Sequence, residues 1–441
     1  MNPRFVLILI LLDAMAYGLA FGTGRALVKV LSGPRRRATS AHWTERARLA
    51  FAPGAAVVCL AVMLPPAVAI LAEVGLEMLQ PQKPAGMPGF WTAGLAAVGG
   101  VLTARYRWLR ELWGVRVTIR SWLAGCLVLV LLFVPHLLVM SVLVILLPDT
   151  PNVHSALLIG AGVVAVAFFA SGGGVLLLRL LRVMRPAPPH VAVLVEQLAR
   201  EMKVRGRVRV FELEWAQVNA VASVLYRAVG FSRPLLEIMT PDELRAIAAH
   251  EIAHLLEPQW VRAVRVLHMF AYLAAVPVIK YGGTGGSFAG WLLIMVLVLA
   301  YQRFRRRMEV RADRLESQTV ADANTYMRSM IKLHEANMLP AVMPGAQSHP
   351  HLYDRLLAGG IQPEFPRPMA PSRGKPLLAA LAATIAATVV MFIIVVFAMC
   401  CQRLIGALHP APSAQPPPAR AQPGSATFGH PERGRDGLVP A

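Results

Sequence analysis

Long apolar runs, separated by short basic or polar segments, constrain this chain more than any other feature. A helix needs about 20 apolar residues to cross the hydrocarbon core, where every backbone N–H and C=O must be paired inside the segment. Such runs fall near residues 5–22, 51–74, 88–104, 122–147, 156–181, 264–281, 287–302 and 377–401. They imply a polytopic α-helical membrane protein with about eight spans. The run near 88–104 is the weakest, being short and holding Gly94, Gly99 and Gly100.

Charge orders the spans. The 441 residues include 44 Lys or Arg against 24 Asp or Glu, a formal net charge of +20. A basic balance can point to nucleic acid. Here the charges cluster beside apolar runs, as in Arg35-Arg36-Arg37 and Arg303 to Arg307, and no recognition motif accompanies them. They fit the positive-inside rule and contact with anionic lipid, and nucleic acid is excluded as a partner. The segments around Arg25 to Arg48 and Arg105 to Arg120 read as cytoplasmic. The segment near Glu73 and Glu77 has only Lys83, and "PDTPNVH" has no Lys or Arg, so both read as outside. "AMA" at residues 14–16 resembles a signal-peptide cleavage site. Cleavage there, or loss of the third run, would put basic segments on the wrong side.

These assignments divide the chain. Residues 1–181 form an N-terminal membrane region of about five spans. Residues 182–263 and 303–376 are two halves of one cytoplasmic domain, split by a transmembrane hairpin, 264–302, that turns at "YGGTGGS". A C-terminal span, 377–401, leads into a Pro/Ala-rich tail, 402–441, expected to be disordered. Cys59, Cys126, Cys400 and Cys401 lie inside apolar runs without CxxC spacing, which excludes a thiolate zinc site and a disulfide framework. Asp13 and His136 are polar residues within spans, functional candidates by default or partners in interhelical hydrogen bonds.

The first polar region carries alternating and β-branched stretches. Strands are expected near 207–213 and 217–225, with a third short one in "PLLEIM". "TPDELRAIAAHEIAHLLE" then reads as a helix. Thr240 is its N-cap, Pro241 fits the first helical position and Glu243 completes a capping box. The helix should run to about Glu257, before Pro258. "RRRMEVRADRLESQTV" and "ADANTYMRSMIKLHEANML" are two further helices, so the domain is mainly α with a small β-sheet.

The zinc-helix pattern lies in "AIAAHEIAHLLEPQW". Residues four apart share one helix face, so His250 and His254 can direct their rings at one ion. Two neutral imidazoles suit zinc. Glu251 projects beside them, where a carboxylate can take a proton from an activated water and return it to a leaving amine. Catalytic zinc uses three protein ligands and an open position. Beyond the hairpin, "MEVRAD" supplies Glu309 as the third, and Asp313, one turn later, can bond a ligating histidine's other ring nitrogen. One Zn2+ per chain is the implied cofactor.

"HEIAH", the hairpin after it, "EVRAD", the upstream "VNAVA" and the downstream "SHPHLYDRL" together resemble the HtpX-like and CAAX-prenyl-endopeptidase family of integral-membrane zinc metalloproteases. The resemblance covers about residues 190–360. It implies a zinc-dependent endopeptidase whose catalytic domain sits against the membrane, in a bacterial inner membrane with the protease on the cytoplasmic side. It implies polypeptide substrates, membrane proteins above all, and a place in membrane-protein quality control or processing. By the same resemblance Asn219 lies on a strand lining the substrate cleft, or is a turn residue. His349 and Arg355 then stabilise the oxyanion or pair with acidic residues near the zinc, or else end a loop and form a structural pair. Family members often carry an Asp shortly after the zinc helix, where this chain has "LLEPQW", and the extra spans before the domain are a second departure. The competing class is a non-catalytic membrane scaffold or sensor that retains a protease-like domain.

Overall fold

A computed structural model describes residues 3–33, 42–79, 88–114, 117–319, 323–344 and 351–408. Its first helices are α1 (Pro3–Leu31), α2 (Trp43–Leu79), α3 (Pro88–Trp113), α4 (Ile119–Val128), α5 (Pro135–Leu146), α6 (Val153–Ala170) and α7 (Gly173–Leu180). The middle of the chain adds β1 (Met184–Pro186), α8 (Pro189–Glu201), β2 (Arg209–Leu213), β3 (Ala220–Ser223), β4 (Ala228–Ser232), α9 (Arg233–Ile238) and α10 (Pro241–Leu255). It ends with α11 (Gln259–Ala271), α12 (Ala275–Tyr281), α13 (Gly283–Thr319), α14 (Ala323–Ala336), α15 (Leu352–Ala358) and α16 (Gly374–Leu408).

The polytopic architecture is present. Among the described residues, six helical stretches are long and apolar enough to cross a membrane: Pro3–Leu31, Trp43–Leu79, Val153–Ala170, Gln259–Tyr281, Phe288–Leu315 and Gly374–Cys401. Residues of these helices that point away from the protein, such as Val62, Val164 and Phe397, are largely exposed, as a lipid-facing surface requires. The count differs from the expected eight at two places, 88–104 and 122–147, and a third run, 156–181, is counted but shortened. Helix α3 packs along α1 and α2, but its glycines and its C-terminal Arg105, Arg107, Arg110 and Glu111 leave it outside that set. The run near 156–181 breaks at Gly172, which has φ +95, into α6 and α7. The run near 122–147 is bent by 87° between Ile119–Phe133 and Pro135–Leu146, so it is either a seventh, broken span or a re-entrant loop. The bend has a cause: Leu129–Phe133 is a π-helical turn, and Pro135 lacks the N–H that would continue the ladder.

The membrane helices form two groups. Helices α1, α2, α3 and α16 share a core of Leu60, Leu64, Ala97, Val101 and Met391. Lipid tails are as apolar as leucine, so close backbone approach rather than hydrophobic burial must hold such helices together. A Cβ at Gly100 would lie 2.4 Å from the Tyr17 carbonyl oxygen, so only glycine lets α3 approach α1 this closely. Asp13 of α1 bonds Thr92 of α3, which accords with the interhelical one of the two roles expected of it. Glu73 of α2 accepts from the Phe90 N–H at 3.0 Å, capping the start of α3. The second group, α5, α6, α11, α12 and α13, packs around Val139, Leu143, Val166, Tyr272 and Ile294. His136 lies here, its ring 4.5 Å from that of Tyr272.

The small sheet has the strand order β1-β2-β4-β3 and packs against α7, α8, α9 and α10. Strand β2 runs parallel to β4, while β1 and β3 are antiparallel to their neighbours. The expected strands 207–213 and 217–225 correspond to β2 and to the shorter β3. "PLLEIM" is instead helical, as α9: Pro234 fits the first turn and Leu235 is buried. Strand β4, "AVGFS", is buried throughout, so it shows no alternation to read from the sequence. β3 occupies one edge of the sheet and contacts α10. The span near 287–302 and the helix over "RRRMEVRADRLESQTV" are one continuous helix, α13, which rigidly ties the membrane hairpin to its polar end. At the C-terminus α16 continues to Leu408, so residues 402–408 are helical rather than part of the tail; residues 409–441 lie outside the described residues.

Candidate metal centre

Helix α10 starts where its capping residues dictate. The Thr240 hydroxyl accepts from the Glu243 N–H and the Glu243 carboxylate accepts from the Thr240 N–H. Lys332 of α14 bonds Glu243 at 2.8 Å, and cap and lysine together outweigh burial to hold that carboxyl below its ordinary value. Ala248, Ile252 and Leu255 anchor the helix in the core of the sheet domain. His250 and His254, one turn apart, are therefore fixed on the opposite side, facing α13.

There they meet Glu309. Its Oε2 lies 3.5 Å from His250 Nε2 and 3.4 Å from His254 Nε2, and all three residues are buried. Among the described residues this is the one His/Cys/Asp/Glu group able to hold a metal ion. Ligands about 2.0–2.1 Å from a tetrahedral zinc sit about 3.3 Å from one another. The spacing and the two-nitrogen, one-oxygen donor set therefore both fit zinc.

Each histidine is backed by a carboxylate, and each carboxylate by an arginine that also bonds a tyrosine hydroxyl. His250 Nδ1 lies 3.1 Å from Asp313 Oδ1 and 3.0 Å from the Tyr326 hydroxyl. Arg355 Nη2 donates to Asp313 at 2.6 Å and to the Tyr326 oxygen at 2.7 Å. His254 Nδ1 lies 3.3 Å from Glu257 Oε1. Arg265 grips Glu257 with Nε at 2.8 Å and Nη2 at 2.5 Å, and its Nη1 reaches the Tyr301 hydroxyl at 3.1 Å. A bond at Nδ1 leaves Nε2 free to face a metal. Glu257, Arg265, Tyr301 and Tyr326 were not among the residues expected from the sequence. Glu257 had a signal: it follows His254 by three positions, in the "LLEPQW" segment that otherwise reads only as a missing Asp.

The electrostatics follow from the contacts. Burial disfavours a charged His250, but hydrogen bonds to Asp313 and Glu309 outweigh it and raise its pKa to about 8 in the metal-free protein. For His254, Glu257 and Glu309 overcome burial in the same way, to about 10. Burial pushes the Glu251 carboxyl above its ordinary value, and Glu309 adds to this, while the two histidines and the Ala222 backbone N–H pull it down.

Glu251 faces a cavity of about 440 Å³ shared with His250, His254 and Glu309. The cavity is walled on one side by β3 and on the other by α11, α13 and the bend around Pro135. Asn219 lies at the mouth of β3 and lines the cavity; its N–H donates to Ser232 Oγ and its carbonyl accepts from the Ser232 N–H, both at 2.9 Å. Just before it, buried Asn337 holds Val218 by two bonds, accepting from its N–H at 3.0 Å and donating to its carbonyl at 2.7 Å. The outer edge of β3 thus runs along the cavity, and an extended chain can pair there. Of the residues expected at the site, His250, Glu251, His254, Glu309, Asp313, Asn219 and Arg355 lie around this cavity or directly behind its metal cluster. His349 lies outside the described residues.

Comparison with known proteins finds similarity in this region. Residues 188–358 match the sequence model of peptidase family M48. A protease HtpX homolog of Aeropyrum pernix is 26% identical over 170 residues, covering 34% of this chain and 53% of the relative. A protease HtpX homolog of Thermoplasma acidophilum is 23% identical over 151 residues, covering 33% of this chain and 47% of the relative. The chain spans about half the length of the curated relatives it matches.

Proposed function

We propose, from the premise that residues 188–358 are a peptidase family M48 domain of HtpX-like kind, that this multi-pass membrane protein is a zinc-dependent endopeptidase. The observation that carries the reading is the convergence of two imidazole nitrogens and one carboxylate oxygen, 3.4 to 3.5 Å apart, beside a cavity-facing Glu251. His250, His254 and Glu309 would hold the ion. Zinc, when bound, supplies Lewis-acid activation of water and of a scissile carbonyl.

The chain's own residues do the rest. An extended substrate pairs its main chain with the outer edge of β3, which brings a peptide bond to the mouth of the cavity next to Glu251. Glu251 takes a proton from the attacking water and delivers it to the departing amine. Burial raises its pKa toward the range in which one carboxyl can do both. Asp313 and Glu257 keep the two imidazoles turned with Nε2 toward the ion. The bonds of Arg355 to Asp313 and Tyr326 support a positioning role, the acidic pairing, over that of an oxyanion donor. His349 remains assigned to the oxyanion by resemblance alone.

The substrates we infer are polypeptides in or beside the bilayer, cut on the cytoplasmic side of a bacterial inner membrane in quality control or processing. The basic segments flanking the spans support that orientation. The test is purification in detergent, metal analysis and cleavage of a casein-like substrate with and without a chelator. One zinc per chain and chelator-sensitive, zinc-restored cleavage is the expected result. Cleavage that persists after the metal is stripped overturns the assignment.

A further inference from the structure

The two clamps behind the metal ligands are built alike but rooted in different places. The His250 clamp is held by Tyr326 on α14 and Arg355 on α15, outside the candidate spans. The His254 clamp is held by Arg265 on α11 and Tyr301 on α13, one from each candidate span of the hairpin. All three guanidinium nitrogens of Arg265 are engaged, Nε and Nη2 on Glu257 and Nη1 on Tyr301. The Tyr301 ring stacks on His268 of α11, with centroids 3.9 Å apart and planes 11° apart, so the hydroxyl is held where Arg265 reaches it. Glu257 is almost wholly buried, its side chain 1% exposed.

Resting on the metalloprotease reading, we propose that the packing of the transmembrane hairpin sets the metal affinity and turnover of the site through Arg265 and Tyr301, which are positioning residues for His254. The chain of contacts is short and directional. If α11 and α13 separate, the Arg265 fork leaves Tyr301 and can no longer hold Glu257 in one orientation. Glu257 then ceases to fix the tautomer and ring plane of His254, and one of three metal ligands loses its aim. The fork geometry is specific to arginine: a lysine would place one point charge and could not bridge the carboxylate and the hydroxyl together. The site is thus completed from within the bilayer as well as from the cytoplasmic domain.

The test uses the full-length protein in lipid nanodiscs and the metal alone. Zinc affinity is measured by chelator competition, the ligand field by the visible spectrum of the cobalt form, and kcat and KM separately on a peptide. Arg265→Met should weaken zinc about 10- to 100-fold and shift the cobalt spectrum, lowering kcat with KM little changed. Tyr301→Phe, which removes one oxygen, should move each readout a few-fold in the same direction. Glu257→Gln should match Arg265→Met, and the double variant, which removes both buried charges, should be no worse than Glu257→Gln alone. Wild-type zinc affinity and cobalt spectrum in Arg265→Met overturn the proposal, and so do losses that multiply in the double variant. A wild-type protein that binds no zinc instead overturns the metalloprotease reading beneath it.

Discussion

Asn337 offers the most direct test of how the edge strand is held. Its side chain is buried and bonds both backbone groups of Val218, the residue that leads into Asn219 and β3. Asn337→Ala leaves a buried N–H and a buried C=O without their partner. Each orphaned group costs about 1–3 kcal/mol, so the loss should be about 3 kcal/mol in all. For a domain of this size each kcal/mol lowers Tm by about 2–4 °C, which predicts a fall of about 6–12 °C. Asn337→Asp keeps the acceptor for the Val218 N–H but sets a buried carboxyl oxygen against the Val218 carbonyl, so it should fall at least as far. Thermal unfolding in detergent, followed by tryptophan fluorescence, reads the change. Peptide cleavage adds a second readout, because a loosened β3 should raise KM more than it lowers kcat. A variant that unfolds at the wild-type temperature with unchanged KM refutes the reasoning.

Five further outcomes are expected. Glu309→Ala should lose zinc and activity together, and a full equivalent of zinc in the purified variant would contradict its assignment as a ligand. Asp313→Ala should weaken zinc by about 10- to 100-fold in chelator competition. With pKa values of about 8 and 10, His250 and His254 are both protonated in the metal-free protein at pH 7. Zinc must displace both protons, so its apparent affinity should rise about 100-fold per pH unit below 8 and about 10-fold per unit from 8 to 10, as calorimetry in buffers of different ionisation enthalpy can check. The raised values carry the opposite sign for the empty fold: the stabilisation they give is complete at acid pH and is lost as pH rises through 8 and then 10. On a background lacking the four cysteines, Asp149→Cys should react with an impermeant thiol reagent in intact cells and Glu196→Cys only after permeabilisation; the reverse pattern breaks the topology.

The helix that carries the two histidines was legible because its signals are local. A cap, a Pro at the first turn and two histidines four apart lie within one short stretch, and local sequence dictates all of them. The proximity of Glu309 and Asp313 to His250 was legible once a third ligand was sought for the two histidines. Glu257 was passed over because its meaning depends on Arg265 and Tyr301, brought together only when the hairpin folds. "PLLEIM" was misread because a short apolar run suits a buried strand or a buried helix equally, and packing decides. β4 was missed because a strand buried on both faces has no alternation. The sharp bend at Pro135 escaped for a different reason: hydropathy measures how greasy a run is, and says nothing about whether it turns back halfway.

The central claim is that Glu251 moves the proton while His250, His254 and Glu309 hold the ion. Glu251→Gln separates those two jobs, because the amide is nearly isosteric and occupies a position that is not a ligand. Zinc content and turnover should be measured on the same purified sample. The account predicts a full equivalent of zinc with cleavage lower by about 10² to 10⁴-fold. Near-normal cleavage with zinc retained would contradict it.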